Sequence, residues 1–188
     1  PEDVLINFKL DANDQVNFIR SLEIFLEKNN EQKPTENLIE NCENQNLEML
    51  REDFKNGKSC NFDIRKVLSQ TSCDPANKFG YIEGPCILIK LNKIYSWLPE
   101  AYENTTTIPL LNGTIDGISE SILKSNVILH CDGEFGADRD NLRQVDITYY
   151  SAESSKFNVK NIGLLPFYYY PYLNQPNYRQ PLVFVHFR

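Results

Sequence analysis

Five cysteines, Cys42, Cys60, Cys73, Cys86 and Cys131, constrain this chain more than any other feature. Five is odd, so at least one has no partner among the 188 residues. None forms a C-x-x-C pair, which argues against a zinc site or a thioredoxin-like redox site. Cys42, Cys60 and Cys73 sit among polar residues, in a stretch (31–75) with little apolar content. Covalent cross-links would hold such a segment together where burial cannot. Two sequons, Asn104-Thr105-Thr106 and Asn112-Gly113-Thr114, lie in a polar stretch. They make Asn104 and Asn112 candidate glycosylation sites. Sequons together with cysteines point to a secreted or extracellular domain. Buried reduced thiols in a cytosolic protein are the alternative, which the polar neighbours disfavour.

Residues 13–29 have the period of an amphipathic helix. Asn13 or Asp14 is placed to cap its first turn. At about 100° per residue, Phe18, Ile19, Leu22, Phe25 and Leu26 form one stripe, with Arg20, Glu27 and Lys28 opposite. The helix is expected to stop near Asn29-Asn30, before Pro34. From residue 79 the period changes to two. Ile87, Ile89 and Leu91 share a face, as do Val127, Leu129 and Cys131; Val145, Ile147 and Tyr149; and Val183, Val185 and Phe187. Residues 99–121, rich in Thr, Asn, Gly and Ser, read as a long surface loop. Several antiparallel strands with long connections predict a β-sandwich. A sandwich stopping on the apolar strand 183–187 would leave an open edge. With the odd cysteine, this predicts that the natural chain continues past Arg188. The start at Pro1, without Met, predicts a processed or trimmed chain.

Charge and motif content exclude several chemistries. With 19 Lys and Arg against 26 Asp and Glu, the net charge is -7 and no basic run is present. That is a poor nucleic-acid binder, since phosphate contacts need clustered cations. Only two histidines, His130 and His186, are available, so an HExxH zinc site cannot be built. Walker, GxGxxG and GxSxG motifs are missing from the sequence. A thiol nucleophile at Cys131 would need a histidine across space, and His130, its strand neighbour, points to the other face; His186 is the remaining candidate. The acidic run Asp132, Glu134, Asp138 and Asp140 does not match calcium-loop spacing, because Gly136 takes the place of the third acidic ligand. It reads as a solvated acidic loop.

The segment Phe167-Tyr168-Tyr169-Tyr170-Pro171-Tyr172 through Tyr178 is the most unusual stretch. Tyrosine joins a large apolar ring to a polar tip and suits a surface covered by another protein. Pro171, Pro176 and Pro181 cannot donate to a ladder, so this is not a central strand. It reads as an extended aromatic ribbon, some of whose rings roof the core.

Taken in order, three stretches resemble the extracellular domain of the sodium/potassium-transporting ATPase beta subunit family. They are Phe79-Gly80-Tyr81-Ile82-Glu83-Gly84-Pro85-Cys86 running through Ile87-Leu88-Ile89-Lys90-Leu91-Asn92-Lys93-Ile94-Tyr95; Cys131-Asp132-Gly133-Glu134 with Ala137-Asp138; and Tyr169-Tyr170-Pro171-Tyr172 with Tyr178, Pro181-Leu182-Val183 and Val185-His186-Phe187. Lys90 to Pro99 looks most like insect members. Ser96 stands where many members carry Gly, and Asp74-Pro75 replaces a small-residue pair.

The resemblance implies a mostly β fold: an immunoglobulin-like sandwich with an N-terminal amphipathic helix and a disulfide-linked insertion. It implies a single extracellular domain over 1–188, with 1–75 the helix and disulfide-linked segment and 76–188 the sandwich part, its final strands missing. It implies disulfides Cys42–Cys60 and Cys73–Cys86, with Cys131 bonded to a cysteine beyond residue 188. It further implies a type II membrane protein whose single membrane helix lies upstream of Pro1, at the plasma membrane with this domain outside. The partner would be the catalytic alpha subunit of a P-type ATPase, whose folding, delivery and potassium transport the beta chain supports. The beta chain performs no chemistry and needs no cofactor. Tyr168, Tyr170, Tyr172, Gln175 and Tyr178 are the expected contacts to that partner. An adhesion role at epithelial junctions, independent of pumping, is the rival reading.

Overall fold

The computed structural model describes residues 12–30, 35–81, 83–101, 119–152 and 161–188. Asn104 and Asn112 lie outside the described residues.

Helix α1 spans Ala12–Asn30. Asn13 and Asp14 therefore lie inside its first turn and not ahead of it. Leu26 is buried, and Ile19, Leu22 and Phe25 are half-buried against the same core. Phe18 departs from the expected stripe: it is 50% exposed, although its ring stacks on Tyr81 with centroids 6.4 Å apart.

The polar segment that follows is more regular than its composition suggests. Strand β1 (Leu38–Ile39) pairs in parallel with β2 (Ser59–Cys60), and between them runs α2 (Leu47–Lys55). Helix α3 (Ile64–Leu68) comes next. Each helix has a local start signal. The Asn46 side chain accepts the Glu48 N–H at 2.7 Å, and Asp63 accepts the N–H groups of Arg65 and Lys66. Each then buries two residues four apart, Leu50 with Phe54 and Ile64 with Leu68. Cys42 is bonded to Cys60 and Cys73 to Cys86, and all four side chains are buried.

Four-residue strands follow: β3 (Cys86–Ile89), β4 (Asn126–Leu129), β5 (Ile147–Tyr150) and β6 (Gly163–Pro166), with the five-residue β7 (Val183–Phe187) last. Between them lie α4 (Glu120–Ser125) and α5 (Gly136–Leu142). The pairings β3–β7, β5–β7 and β4–β6 are antiparallel, giving a three-stranded sheet in the order β3-β7-β5 and a two-stranded sheet. Helical residues outnumber strand residues among the described residues, so "mostly β" is corrected. The strands are short, and the insertion and connections form helical turns. The end of the expected 99–121 loop is one of them, for α4 buries Ile122 and Leu123.

The predicted inward sets largely meet in one apolar layer. Tyr149, Leu165, Val183 and Val185 are its buried centre; Ile89, Leu91, Val127, Leu129, Cys131, Ile147 and Phe187 pack around them. Ile87 and Val145 are not part of it, and β5 begins only at Ile147. Gly163 brings the two sheets together: a Cβ there would lie 2.8 Å from Val183 Cγ1. The opposite face of β7, through Phe184, joins Leu88, Tyr150, Cys86 and the helical insertion in a second core.

The expected open edge at the last strand is corrected. β7 is the central strand, bonded to β3 on one side and β5 on the other. Residues 183–186 are all buried, as a strand covered on both faces requires.

Candidate interaction surface

The ribbon starts with a 3-10 turn at Phe167–Tyr169 and then runs irregularly to Tyr178, with a cis peptide at Tyr170-Pro171. It is tied at both ends to the rest of the fold. Tyr169 donates its hydroxyl to the Asn61 carbonyl at 3.3 Å and meets Phe62 edge-on at 5.7 Å. Arg179 donates to Asn61 Oδ1 at 2.8 Å. Gln180 donates to the Leu91 carbonyl.

The five expected contact residues divide by burial. Tyr170, Gln175 and Tyr178 are buried within the chain, whereas Tyr168 and Tyr172 are half-buried. Gln175 holds the ribbon's own bend: its Oε1 accepts the Leu173 N–H at 2.8 Å and its Nε2 donates to the Pro171 carbonyl at 3.2 Å. Tyr172 and Tyr178 touch ring to ring at 4.9 Å. Burial raises the Tyr170 and Tyr178 hydroxyls above the ordinary 10.0, and for Tyr178 the neighbouring Tyr170, Tyr172 and Tyr169 add to the rise. Both therefore remain protonated at neutral pH. Tyr168 lies elsewhere, lining a 400 Å³ cleft with Glu40, Glu43, Asp63 and Lys66.

A segment that carried the family resemblance but was assigned no contact role covers the ribbon. Ser96 donates its N–H to the Tyr172 carbonyl at 2.9 Å, and Tyr95 bridges Tyr172 in parallel. Trp97 meets the Tyr170 ring edge-on at 5.3 Å. Lys93 Nζ sits 5.6 Å from the Tyr172 ring centre and 5.7 Å from that of Tyr178. Ser96 has φ 62°, a left-handed conformation that glycine adopts without strain. Its signal in the sequence was four large apolar or aromatic residues within five positions, Ile94, Tyr95, Trp97 and Leu98 around Ser96, ending at Pro99.

The other candidates resolve into structural roles. Cys131 packs against the apolar layer that includes Val183 and Val185, while His186 alternates with these on β7 and faces the other side, next to Gly80 and Cys86. The two therefore cannot form a thiol–imidazole pair. The Cys131 N–H donates to the Tyr149 hydroxyl at 2.6 Å. The acidic run is exposed, as expected, but is loop only in part: Asp132 and Glu134 precede α5, and Asp138 and Asp140 lie within it. Asp138 accepts the Phe135 N–H at 3.2 Å, Asp132 accepts the Gly133 N–H at 2.8 Å, and Arg139 donates to the Gly133 carbonyl at 2.9 Å. His186 lines a 330 Å³ cavity with Ser72, Asn77 and Glu83. Groups of three or more metal-ligating side chains do not occur among the described residues, and no described helix is long and apolar enough to cross a membrane.

The family model described as "Sodium / potassium ATPase beta chain" matches residues 1–188. The chain is 35% identical over 117 residues, 61% of its length, to sodium/potassium-transporting ATPase subunit beta-1 of Drosophila melanogaster. It is 31% identical over 140 residues, 70% of its length, to subunit beta-2 of the same organism. It is 24% identical over 189 residues, 100% of its length, to a probable subunit beta-3 of Caenorhabditis briggsae. The matched stretches are 34%, 39% and 51% of those relatives' own lengths, so the chain spans about a third to a half of each.

Proposed function

Because this chain belongs to the sodium/potassium ATPase beta-chain family, we propose that it is the extracellular part of a non-catalytic beta subunit that pairs with the catalytic alpha chain of a P-type ATPase. In that role it supports the partner's folding, its delivery to the plasma membrane and its potassium transport. A membrane helix upstream of Pro1 anchors it, with the described domain outside the cell. The five longer strands are part of an immunoglobulin-like sandwich, Cys131 pairs with a cysteine beyond residue 188, and Asn104 and Asn112 carry glycans. The observation that carries the reading is the family match along the whole chain. The two disulfides fit an oxidising compartment, and the aromatic ribbon supplies a partner-facing edge.

Of the five ribbon residues, Tyr168 and Tyr172 have ring surface left to offer a partner. Tyr170, Gln175 and Tyr178 hold the ribbon's shape. The test is recovery of the tagged protein from its native membrane in mild detergent, with mass spectrometry of what comes with it. A stoichiometric P-type ATPase catalytic chain with ATPase activity supports the subunit reading. Junction proteins without an ATPase would replace it with the adhesion role.

A further inference from the structure

We propose that the segment Ile94–Leu98 is the part of this domain that meets the catalytic chain, and that the tyrosine ribbon is the frame presenting it. This rests on the subunit reading above and names the contact within it. Four large apolar side chains on five consecutive residues are exposed here: Ile94 57%, Tyr95 63%, Trp97 36% and Leu98 37%. Isolated exposed apolar residues are ordinary, but a contiguous group marks an interaction surface. Tyrosine and tryptophan are the side chains enriched where interface energy concentrates.

The patch is held in one shape before any partner arrives. Its backbone is fixed by the Ser96–Tyr172 hydrogen bond and by that between the Trp97 N–H and the Ile94 carbonyl at 3.3 Å. Trp97 is braced edge-on against the buried Tyr170, with about a third of its surface left exposed. A pre-ordered surface loses less conformational freedom on binding. It is also continuous with the half-buried Tyr172, so both belong to one face. The charge around it differs from that of the whole chain. Lys90 and Lys93 flank the segment against Glu100, in a chain of net charge -7. The matching surface on the catalytic chain is an apolar extracellular loop rimmed by carboxylate.

The full protein, co-expressed with the catalytic chain, provides the test. The double variant Ile94→Ser with Tyr95→Glu changes only exposed side chains, and its melting curve should match that of the wild type. Recovery of the catalytic chain in mild detergent should fall on the order of tenfold. A photoreactive side chain at position 95 should cross-link to the catalytic chain, and the same probe at Met49, 68% exposed on α2, should not. Unchanged recovery together with no cross-link from position 95 overturns the proposal while leaving the subunit reading intact. Cross-linking from 95 to a second copy of this chain overturns it in favour of self-association. If the wild type recovers no catalytic chain at all, the subunit reading fails and the proposal with it.

Discussion

The Trp97 ring meets the Tyr170 ring edge-on, with centroids 5.3 Å apart and planes at 86°. This contact joins the exposed segment to the buried ribbon. Edge-to-face pairs contribute about 0.5–1.5 kcal/mol beyond the area they bury. A double-mutant cycle with Trp97→Ala and Tyr170→Leu should return a coupling energy of about 1 kcal/mol by denaturant unfolding. Additive losses would mean that the two rings are merely neighbours.

Burial separates the ribbon tyrosines into two behaviours. Tyr170→Ala removes a buried ring and should cost about 3–5 kcal/mol of stability. Tyr172→Ala removes a half-buried one and should cost no more than about 1–2 kcal/mol, with the larger effect on recovery of the partner. Melts of both variants beside a pull-down decide this; equal stability losses would contradict it.

Ser96 occupies a backbone region that costs an L-residue about 1–2 kcal/mol. Ser96→Gly should relieve most of that, less the added freedom of the unfolded chain, for a net gain of up to about 1 kcal/mol. Ser96→Val, β-branched at the same φ, should lose stability. A lower melting temperature for the glycine variant would show that Ser96 makes a compensating contact.

The two disulfides close loops with sequence separations of 18 and 13. By the chain-entropy relation each contributes about 3 kcal/mol. Cys42→Ala with Cys60→Ala should release the segment around α2, and Cys73→Ala with Cys86→Ala should loosen β3 against β7. Amide hydrogen exchange resolves the two. Protection lost in both regions from either pair would mean that the insertion and the sheet unfold as one unit.

Two pH dependences have opposite signs. Burial lowers His186 below the ordinary 6.5; a backbone hydrogen bond at Gly84 and the carboxylates Asp146 and Glu83 oppose this, and Arg188 adds to it. The folded state thus prefers neutral imidazole. That stability is present above 6.5 and is lost as pH falls through the lowered value. Burial raises Tyr170 and Tyr178, so their contribution is present below 10.0 and is lost as pH rises above it. Melting temperature against pH should fall at both ends. His186→Gln should flatten the acid limb alone, and an unaltered acid limb in that variant would assign it to other groups.

Local periodicity determined a good part of this molecule. The 3.6-residue stripe set the length of α1 and its buried face at Ile19, Leu22, Phe25 and Leu26. Period two marked four strands and most of the side chains that meet around Val183 and Val185. The stretches from residue 79 onward carried the family resemblance, and the odd cysteine count left Cys131 without a partner among the described residues.

Tertiary structure decided the rest, because it depends on contacts between distant residues. β6 has no alternation to read: Gly163, Leu164, Leu165 and Pro166 are all buried, with β4 paired along its edge and β7 packed against it. β7 became a central strand only because β3 and β5, far apart in the chain, flank it. The helices of the polar segment needed a core from elsewhere to bury Leu50, Phe54 and Leu68. The ribbon tyrosines Tyr168, Tyr170, Tyr172 and Tyr178 are alike as letters. Bonds such as Arg179 to Asn61, 118 residues apart, and the cover from residues 93–97 decide which rings are buried and which remain at the surface.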